Sequence, residues 1–250
     1  MRLVSFYHNK TVRLGALVDS DMVIDLAQAV GALPQPPLNF PSDMLGLLQA
    51  EEAVWSAVHA AVDSGQAAAA KGLTSPFIYP IAEVKPAPPL TNPSKIICVG
   101  LNYHDHCRET NTPVPDHPVT FVKYPSAIIG PEQTITWPAE VTTKVDYEAE
   151  LALVIKRTAH KVSPDEAYDY IAGYTILNDI SARDVQFSDG QWVRAKSFDT
   201  FCPLGPALVT SDEVGDPHQL AIRCRLNGQA VQDSNSSELI FKIPELMAFI

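Results

Sequence analysis

The stretch of sequence that decides the fold runs Val145-Asp146-Tyr147-Glu148-Ala149-Glu150-Leu151-Ala152-Leu153-Val154-Ile155. Apolar and acidic residues alternate at its start, and a period of two is typical of a β-strand. Successive side chains of a strand point to opposite faces, so we expect Asp146, Glu148 and Glu150 on one face and the apolar residues on the other. The sequence therefore predicts a strand over residues 145–155 with three carboxylates on one side.

Three like charges in a row need a compensating positive charge. Side chains two apart on a strand are separated by about 6 to 7 Å, so carboxylates on a partly buried face repel each other and lose hydration. A divalent cation bound by the carboxylates would satisfy them. Lysine or arginine side chains from a neighbouring strand, on a solvated face, would do so equally well. The stretch by itself leaves both possibilities open.

Composition indicates an ordinary globular protein and excludes several functional classes. The 250 residues are 46% hydrophobic and 19% charged, which suits one β-rich domain or a small domain beside a larger one. The net charge of −11 disfavours partners such as nucleic acid or an anionic membrane. The four cysteines form no C-x-x-C pair, so no zinc site is predicted. Because the N-terminus has too short an apolar core for a signal peptide, we expect a cytoplasmic protein.

The first 90 residues form a separate unit in the sequence. Three short strands are predicted before residue 27, and a helix is predicted over residues 43–62, where apolar residues recur at helical spacing. Residues 85–93 contain four of the 21 prolines, a composition typical of an extended, semi-rigid connector. We therefore predict a small N-terminal α+β domain with its linker over residues 1–90 and a second domain over residues 91–250.

A histidine and a carboxylate follow the first buried strand of the second domain. The apolar run at residues 96–100 predicts that strand, and the polar residues after it predict a turn into a short helix. His106 and Glu109 are three residues apart and share a face of such a helix. This spacing suits a general base and the acid that orients it. A surface ion pair is the alternative interpretation.

Two later segments carry further charged residues. The apolar residues 173–180 predict a buried strand that ends with Asp179, where an acid can act as a further oxygen donor. Arg183 follows within one short turn. Lys196 lies between small residues and an aromatic residue, a setting that favours partial burial, although a lysine whose ammonium reaches solvent fits the same pattern.

The end of the chain has an apolar face. Residues 243–250 begin a helix and end in Met247-Ala248-Phe249-Ile250, without a polar last turn. We therefore expect a natural chain to continue beyond Ile250, so that the second domain lacks its C-terminal end. Unpartnered apolar residues also favour a homodimer with an isologous interface.

Four motifs together resemble the fumarylacetoacetate hydrolase family in its bacterial, two-domain form. They are Gly100-Leu101-Asn102-Tyr103 with His106 and Glu109, Asp146-Tyr147-Glu148-Ala149-Glu150-Leu151, Asn178-Asp179-Ile180-Ser181-Ala182-Arg183-Asp184-Val185-Gln186, and Ala195-Lys196-Ser197-Phe198-Asp199-Thr200-Phe201 running into Pro203-Leu204-Gly205-Pro206. In this order they lie within residues 95–241. The resemblance implies a mainly β, α+β fold, with a catalytic domain that is a mixed β-roll and a small N-terminal α+β domain.

The resemblance also implies roles for individual residues. The family binds a Mg²⁺ or Mn²⁺ ion through carboxylates, and the matching positions here are Glu148, Glu150 and Asp179. A catalytic dyad that activates water is matched by His106 and Glu109. Groups that bind the carboxylate and oxygens of a substrate are matched by Arg183, Gln186 and Lys196, and we also count Lys196 as catalytic. Members of the family are usually dimeric.

The implied chemistry starts from a small-molecule 2-oxo acid. A hard cation can hold its 2-oxo carboxylate and stabilise the enolate that forms when a C–C bond breaks. In a hydrolase, the histidine removes a proton from water, which attacks the distal carbonyl of an acylpyruvate or fumarylpyruvate-type β-diketo acid. An oxaloacetate-type decarboxylase needs the same enolate, and a 2-hydroxyhepta-2,4-diene-1,7-dioate isomerase moves protons along the dienol.

We therefore expect a metal-dependent enzyme that hydrolyses such a C–C bond, because the pair formed by His106 and Glu109 favours hydrolysis. Decarboxylation and isomerisation are alternatives within the same chemistry. A non-catalytic, cation-binding scaffold is the alternative from another class of protein.

Overall fold

The computed structural model of the chain describes residues 1–19, 21–73 and 75–250. Within these ranges the strands are β1 (Arg2–His8), β2 (Thr11–Leu17), β3 (Met22–Asp25), β4 (Ile78–Pro80), β5 (Lys85–Ala87), β6 (Ile96–Gly100), β7 (Val119–Lys123), β8 (Ile128–Ile129), β9 (Val145–Asp146), β10 (Ala149–Ile155), β11 (Ile171–Asn178), β12 (Ser181–Ala182), β13 (Cys202–Pro203), β14 (Leu208–Thr210), β15 (Ala221–Leu226) and β16 (Gln229–Asn235). The α-helices are α1 (Leu26–Gly31), α2 (Met44–Leu48), α3 (Glu52–Ala70), α4 (His104–Glu109), α5 (Arg183–Asp189), α6 (Val193–Lys196), α7 (Ser211–Val214) and α8 (Ile243–Phe249). Short 3₁₀ segments cover Ile81–Glu83, Pro125–Ala127, Pro164–Tyr170 and Ser236–Glu238. The fold is α+β and dominated by strands, as the sequence predicts.

The largest sheet joins strands from both ends of the chain. Its order is β10-β11-β14-β1-β2-β3-β4, and β5 also pairs with β1. β14 meets β1 through the antiparallel pair Leu3↔Leu208, and both of these leucines belong to the main core cluster with no exposed surface. The sheet and its core therefore cross residue 90, where the sequence predicts a domain boundary.

The acidic stretch forms two strands, so the prediction of one continuous strand over residues 145–155 is wrong. β9 pairs with β12 and β10 pairs with β11, and Tyr147 and Glu148 lie between the two strands. The segment that pairs with this stretch is interrupted at the same level, between β11 and β12. In this gap the amide of Asp179 donates a 2.8 Å hydrogen bond to the carbonyl oxygen of Glu148. The amide of Glu148 donates in turn to Oδ1 of Asn178, at 3.1 Å. The break places Glu148 beside Asp179.

The prediction of one helix over residues 43–62 is also wrong, because two helices, α2 and α3, form there. The buried residues Leu47 and Leu48 belong to α2, whereas Val54 and Val58 belong to α3. Leu47 and Val54 are seven residues apart, a spacing that also suits one face of a single helix, so the apolar pattern does not reveal the break. The break lies at Glu51, whose backbone is extended (φ −68°, ψ 159°) directly before α3. None of the helices formed by the described residues is long and apolar enough to cross a membrane.

A small core cluster fixes the segments that carry the later charged residues. Its buried members are Ile180, Ala182, Val185, Ala195 and Phe201. They come from the link between β11 and β12, from β12, and from α5, α6 and the segment after α6. Because these apolar side chains pack together, α5 and α6 are held close to each other.

Gly173 tests the register of the sheet. It pairs with Val154 of β10 and with Thr210 of β14, and a Cβ atom at this position would lie 2.1 Å from the carbonyl oxygen of Val209. Gly173→Ala should therefore lower the free energy of unfolding by about 1–3 kcal/mol, because backbone must move to relieve the overlap. Urea unfolding measures this. The control is Gly31→Ala, where a Cβ meets no atom within 4 Å and a gain of up to about 1 kcal/mol is expected. Equal unfolding free energies for the two variants would contradict the register.

Candidate active site

Charged side chains converge where β10 begins and β11 ends, close to α5 and α6. Glu148 directly precedes β10, and Asp179 directly follows β11. The antiparallel ladder ends with the pair Ala149↔Asn178, so the residues just beyond it are brought together. Arg183 begins α5 and Lys196 ends α6. The structure thus gathers four of the residues that the sequence singles out.

Lys196 links the two carboxylates that flank the break. Its Nζ lies 2.6 Å from Oε2 of Glu148 and 2.9 Å from Oδ2 of Asp179, and its side chain is buried. Burial alone would lower the pKa of Lys196, but the charges of Asp179 and Glu148, with the hydrogen bonds to both, raise it above the ordinary value. Lys196 is therefore a buried ammonium ion and not a lysine whose ammonium reaches solvent.

Arg183 holds the other oxygen of Glu148 and reaches a second acid. Its Nη2 lies 2.6 Å from Oε1 of Glu148 and 2.8 Å from Oδ2 of Asp146. Its Nη1 donates a 3.0 Å hydrogen bond to Oε1 of the buried Gln186. Burial opposes the charge of Arg183, but its carboxylate partners, Glu148 first, raise the pKa of the guanidinium. Arg183 and Gln186, two of the three residues predicted to bind the substrate, are therefore in direct contact.

Lys123, at the end of β7, is a site residue that the sequence reasoning missed. Its side chain has no exposed surface, and its Nζ lies 2.7 Å from Oδ1 of Asp179. A signal existed in the sequence: Lys123 falls two positions after Phe121 in a mainly apolar strand, and a lysine facing a core requires an acidic partner.

Glu150 is the carboxylate left over when the charges of the cluster are paired. Three acids, Asp146, Glu148 and Asp179, are matched by three cations from Lys123, Arg183 and Lys196. No hydrogen bond or ion pair to the carboxylate of Glu150 occurs among the described residues. Burial, followed by the charges of Glu148 and Asp179, raises the pKa of Glu150 to about 8, although Lys196 opposes this shift.

The donor set suits a divalent metal ion. Glu148, Glu150 and Asp179 offer carboxylate oxygens, the ligands that Mg²⁺ and Mn²⁺ prefer, and a nearby cation would stabilise the ionised form of Glu150. Lys196 bonds to two of these carboxylates. In the part of the chain that the structure describes, no group of three or more His, Cys, Asp or Glu side chains is arranged to hold a metal ion directly. The three carboxylates fit the ion in their chemistry, and their role as ligands stays a prediction.

His106 and Glu109 lie on α4, the short helix that the sequence predicts. Both are exposed. Across the described ranges no hydrogen bond or ion pair joins their side chains. Tyr103 directly precedes α4. Burial raises the pKa of its hydroxyl, and the nearby carboxylate of Glu150 raises it further. The helix therefore starts near the cluster, and the role of the pair as a catalytic dyad stays a prediction.

Fold and site together define an α+β protein with a partly buried cluster of paired acids and cations. Residues 95–250 match the family described as fumarylacetoacetate (FAA) hydrolase C-terminal. This match covers more than half of the chain, and the chain belongs to the fumarylacetoacetate hydrolase family. The family predicted from the four motifs is confirmed.

The chain is similar in sequence to proteins named as mitochondrial oxaloacetate tautomerases. The protein named oxaloacetate tautomerase fahd2 of Xenopus laevis is 42% identical over 254 residues, which cover 100% of this chain and 74% of that protein. The protein named oxaloacetate tautomerase FAHD2A of Bos taurus is 44% identical over 212 residues, which cover 84% of this chain and 64% of that protein. The match to the second relative therefore spans less than two thirds of that relative's length.

Solved structures with the same fold carry other activities in their names. Maleylpyruvate hydrolase from Sphingobium sp. SYK-6, in complex with manganese(II) and pyruvate, aligns with a TM-score of 0.76 and 30% identity over 100% of this chain and 82% of that one. The 2-hydroxyhepta-2,4-diene-1,7-dioate isomerase from Mycobacterium marinum aligns with a TM-score of 0.70 and 31% identity over 100% and 80%. The predicted fold is confirmed, and the names span more than one reaction.

The surplus carboxylate predicts how stability depends on pH. The pKa of Glu150 is about 8 in the folded protein against an ordinary value of 4.5. Between these values the folded state keeps a proton that the unfolded state releases. The unfolding free energy of metal-free protein should therefore fall as pH rises, by up to about 1.4 kcal/mol per pH unit from this group.

Glu150→Gln removes this dependence. In EDTA the variant should be more stable than wild type at pH 8, and the difference should vanish below pH 5. Urea unfolding at several pH values measures it, with the exposed Glu140→Gln as control. Parallel pH profiles for wild type and Glu150→Gln would show that the pKa of Glu150 is not raised in the folded protein.

Proposed function

We propose that the protein is a divalent-metal-dependent enzyme that interconverts the keto and enol forms of a 2-oxo dicarboxylic acid, with oxaloacetate as the first substrate to test. The observation that carries the proposal is the buried ammonium of Lys196, which lies against carboxylates suited to a metal ion. Support also comes from the relative named oxaloacetate tautomerase, which is 42% identical over the whole chain.

The chemistry of enolisation matches the groups of the site. Keto–enol interconversion breaks one C–H bond beside the 2-oxo group and forms one O–H bond on its oxygen, so negative charge develops on that oxygen. Lys196 would stabilise this charge from a position that its hydrogen bonds to Glu148 and Asp179 already fix. A bound Mg²⁺ or Mn²⁺ ion, held by Glu148, Glu150 and Asp179, would supply Lewis-acid stabilisation of the same oxygen.

Arg183 and Gln186 would bind and orient a carboxylate of the substrate. A guanidinium presents several donors in one plane and recognises a carboxylate through two of them. Because Oε1 of Gln186 accepts a hydrogen bond from Arg183, the amide NH₂ of Gln186 is turned toward other acceptors. Two neighbouring cations, Arg183 and Lys196, therefore favour a substrate with more than one anionic oxygen group.

Hydrolysis of an acylpyruvate-type C–C bond, expected from the sequence, is the second candidate. The likeness to maleylpyruvate hydrolase and the spacing of His106 and Glu109 favour it. Decarboxylation, isomerisation and a non-catalytic cation-binding scaffold are separated from these by the same assays. The homodimer stays a prediction, which sedimentation tests against the 27.2 kDa mass of one chain.

The direct test follows the ultraviolet absorbance of enol-oxaloacetate after dissolved enol is mixed with the protein. Wild type with Mn²⁺ should accelerate the decay to the keto equilibrium, and wild type in excess EDTA should not. Assays of pyruvate release from oxaloacetate and from an acylpyruvate run beside it. Enol decay at the uncatalysed rate, with or without Mn²⁺, would reject the proposal.

Lys196→Met tests the group that stabilises the enolate. The variant keeps the length of the side chain and removes its charge, so kcat for tautomerisation should fall by about 10²- to 10³-fold, as on loss of one oxyanion donor. Circular dichroism and the melting temperature establish that the variant is folded. The exposed Lys156→Met is the control and should keep wild-type kcat. A wild-type kcat in folded Lys196→Met would remove Lys196 from the chemistry.

His106→Ala separates the two candidate reactions. Tautomerisation uses no attacking water, so we expect its kcat to stay within about threefold of wild type. Any hydrolysis of an acylpyruvate should fall by about 10²- to 10⁴-fold, because a general base is lost. The neighbouring exposed His104→Ala should change neither rate. If His106→Ala lowers both reactions by the same factor, the histidine does not act by activating water.

A further inference from the structure

Lys123 is a buried lysine whose ammonium group donates all of its hydrogen bonds inside the protein. Its side chain has no exposed surface. Nζ donates to Oδ1 of Asp179 at 2.7 Å and to the carbonyl oxygen of Ile180 at 3.2 Å. It also donates to the carbonyl oxygen of Lys196. An ammonium group has three N–H donors, and three acceptors surround this one.

These contacts tie two separate segments of the site together. Asp179 and Ile180 follow β11, whereas Lys196 ends α6. Asp179 is held at both oxygens, since Lys123 bonds to Oδ1 and Lys196 bonds to Oδ2. Lys196 is held at two points as well, through its carbonyl oxygen by Lys123 and through its ammonium by Asp179. The three residues form a closed ring of contacts that fixes the distance between Asp179 and Lys196.

The same strand also contacts the other end of Lys196. Phe121, two positions before Lys123 and on the same face of β7, has its ring centre 5.0 Å from Nζ of Lys196. Trp192 packs edge-on against Phe121, with 5.3 Å between ring centroids. A Cβ at Gly100 would lie 2.6 Å from the Trp192 ring, so only glycine leaves room for it. β7 therefore supports both the main chain and the ammonium of Lys196.

We infer that Lys123 is a positioning residue, which fixes the carboxylate of Asp179 for metal binding and the side chain of Lys196 for the substrate. The inference rests on the proposed function. Lys123 does not touch Arg183 or Gln186 in the described structure, so it acts on the metal and on the reacting oxygen rather than on the substrate's carboxylate. Residues that hydrogen-bond to a metal ligand without binding the metal typically contribute 10- to 100-fold to metal affinity.

The test compares Lys123→Met with wild type and with the exposed Lys156→Met. Calorimetric titration of EDTA-treated protein with MnCl₂ should give a Kd that is about 10- to 100-fold higher in Lys123→Met. With saturating Mn²⁺, kcat for oxaloacetate tautomerisation should fall by at least about tenfold, while KM stays within about threefold because Arg183 and Gln186 are untouched. Lys156→Met should match wild type in all three quantities.

A folded Lys123→Met with wild-type Mn²⁺ affinity and kcat would overturn the inference. If Lys123→Met does not fold, Lys123→Gln, which is neutral but keeps a donor, is measured in its place and should bind Mn²⁺ at least about tenfold more weakly. Failure of both variants to fold would show a structural role and would also overturn it.

The behaviour of wild type separates this inference from the proposed function. Wild type that binds Mn²⁺ but does not act on oxaloacetate would reject the proposed reaction, and the ratio of Mn²⁺ affinities would still decide the role of Lys123. Wild type that binds no Mn²⁺ would overturn both.

Discussion

The hydrogen bond from the amide of Asp179 to the carbonyl of Glu148, 2.8 Å long, sets the geometry of the site. It spans the gap where β9 and β10 are separate on one side and β11 and β12 on the other. A regular antiparallel ladder would send neighbouring side chains to alternate faces. The interruption instead brings an acid from each strand to one place, and the cations that meet there come from α5, α6 and β7.

The charges of the cluster explain both its stability and its chemistry. Buried acids persist when they are paired and bonded to hydrogen-bond donors, and Lys123, Arg183 and Lys196 supply this for three of them. Glu150 lies outside the pairing, and its pKa is raised to about 8. Glu150 has no ion-pair partner among the described residues and lies near two acids that share Lys196, and this arrangement supports the proposal that the site binds a divalent cation.

Much of this site could be predicted from the sequence, because its residues lie in short motifs at strand ends. Glu148, Asp179, Arg183 and Lys196 were all identified, and the structure brings them into contact. The strand break was missed because the alternating pattern continues through Tyr147 and Glu148, and only pairing with a distant segment reveals it. Lys123 was missed because a lone lysine in a strand is usually exposed. For His106 and Glu109, helical spacing establishes a shared face but not its direction, and both side chains are exposed.

The most direct test of the account is a calorimetric titration of EDTA-treated wild type and Glu150→Gln with MnCl₂ at neutral pH. If the unpaired carboxylate completes a metal site with Glu148 and Asp179, wild type should bind one Mn²⁺ per chain, and Glu150→Gln should bind it at least about tenfold more weakly. Equal affinities in the two proteins, or no binding by wild type, would contradict the account.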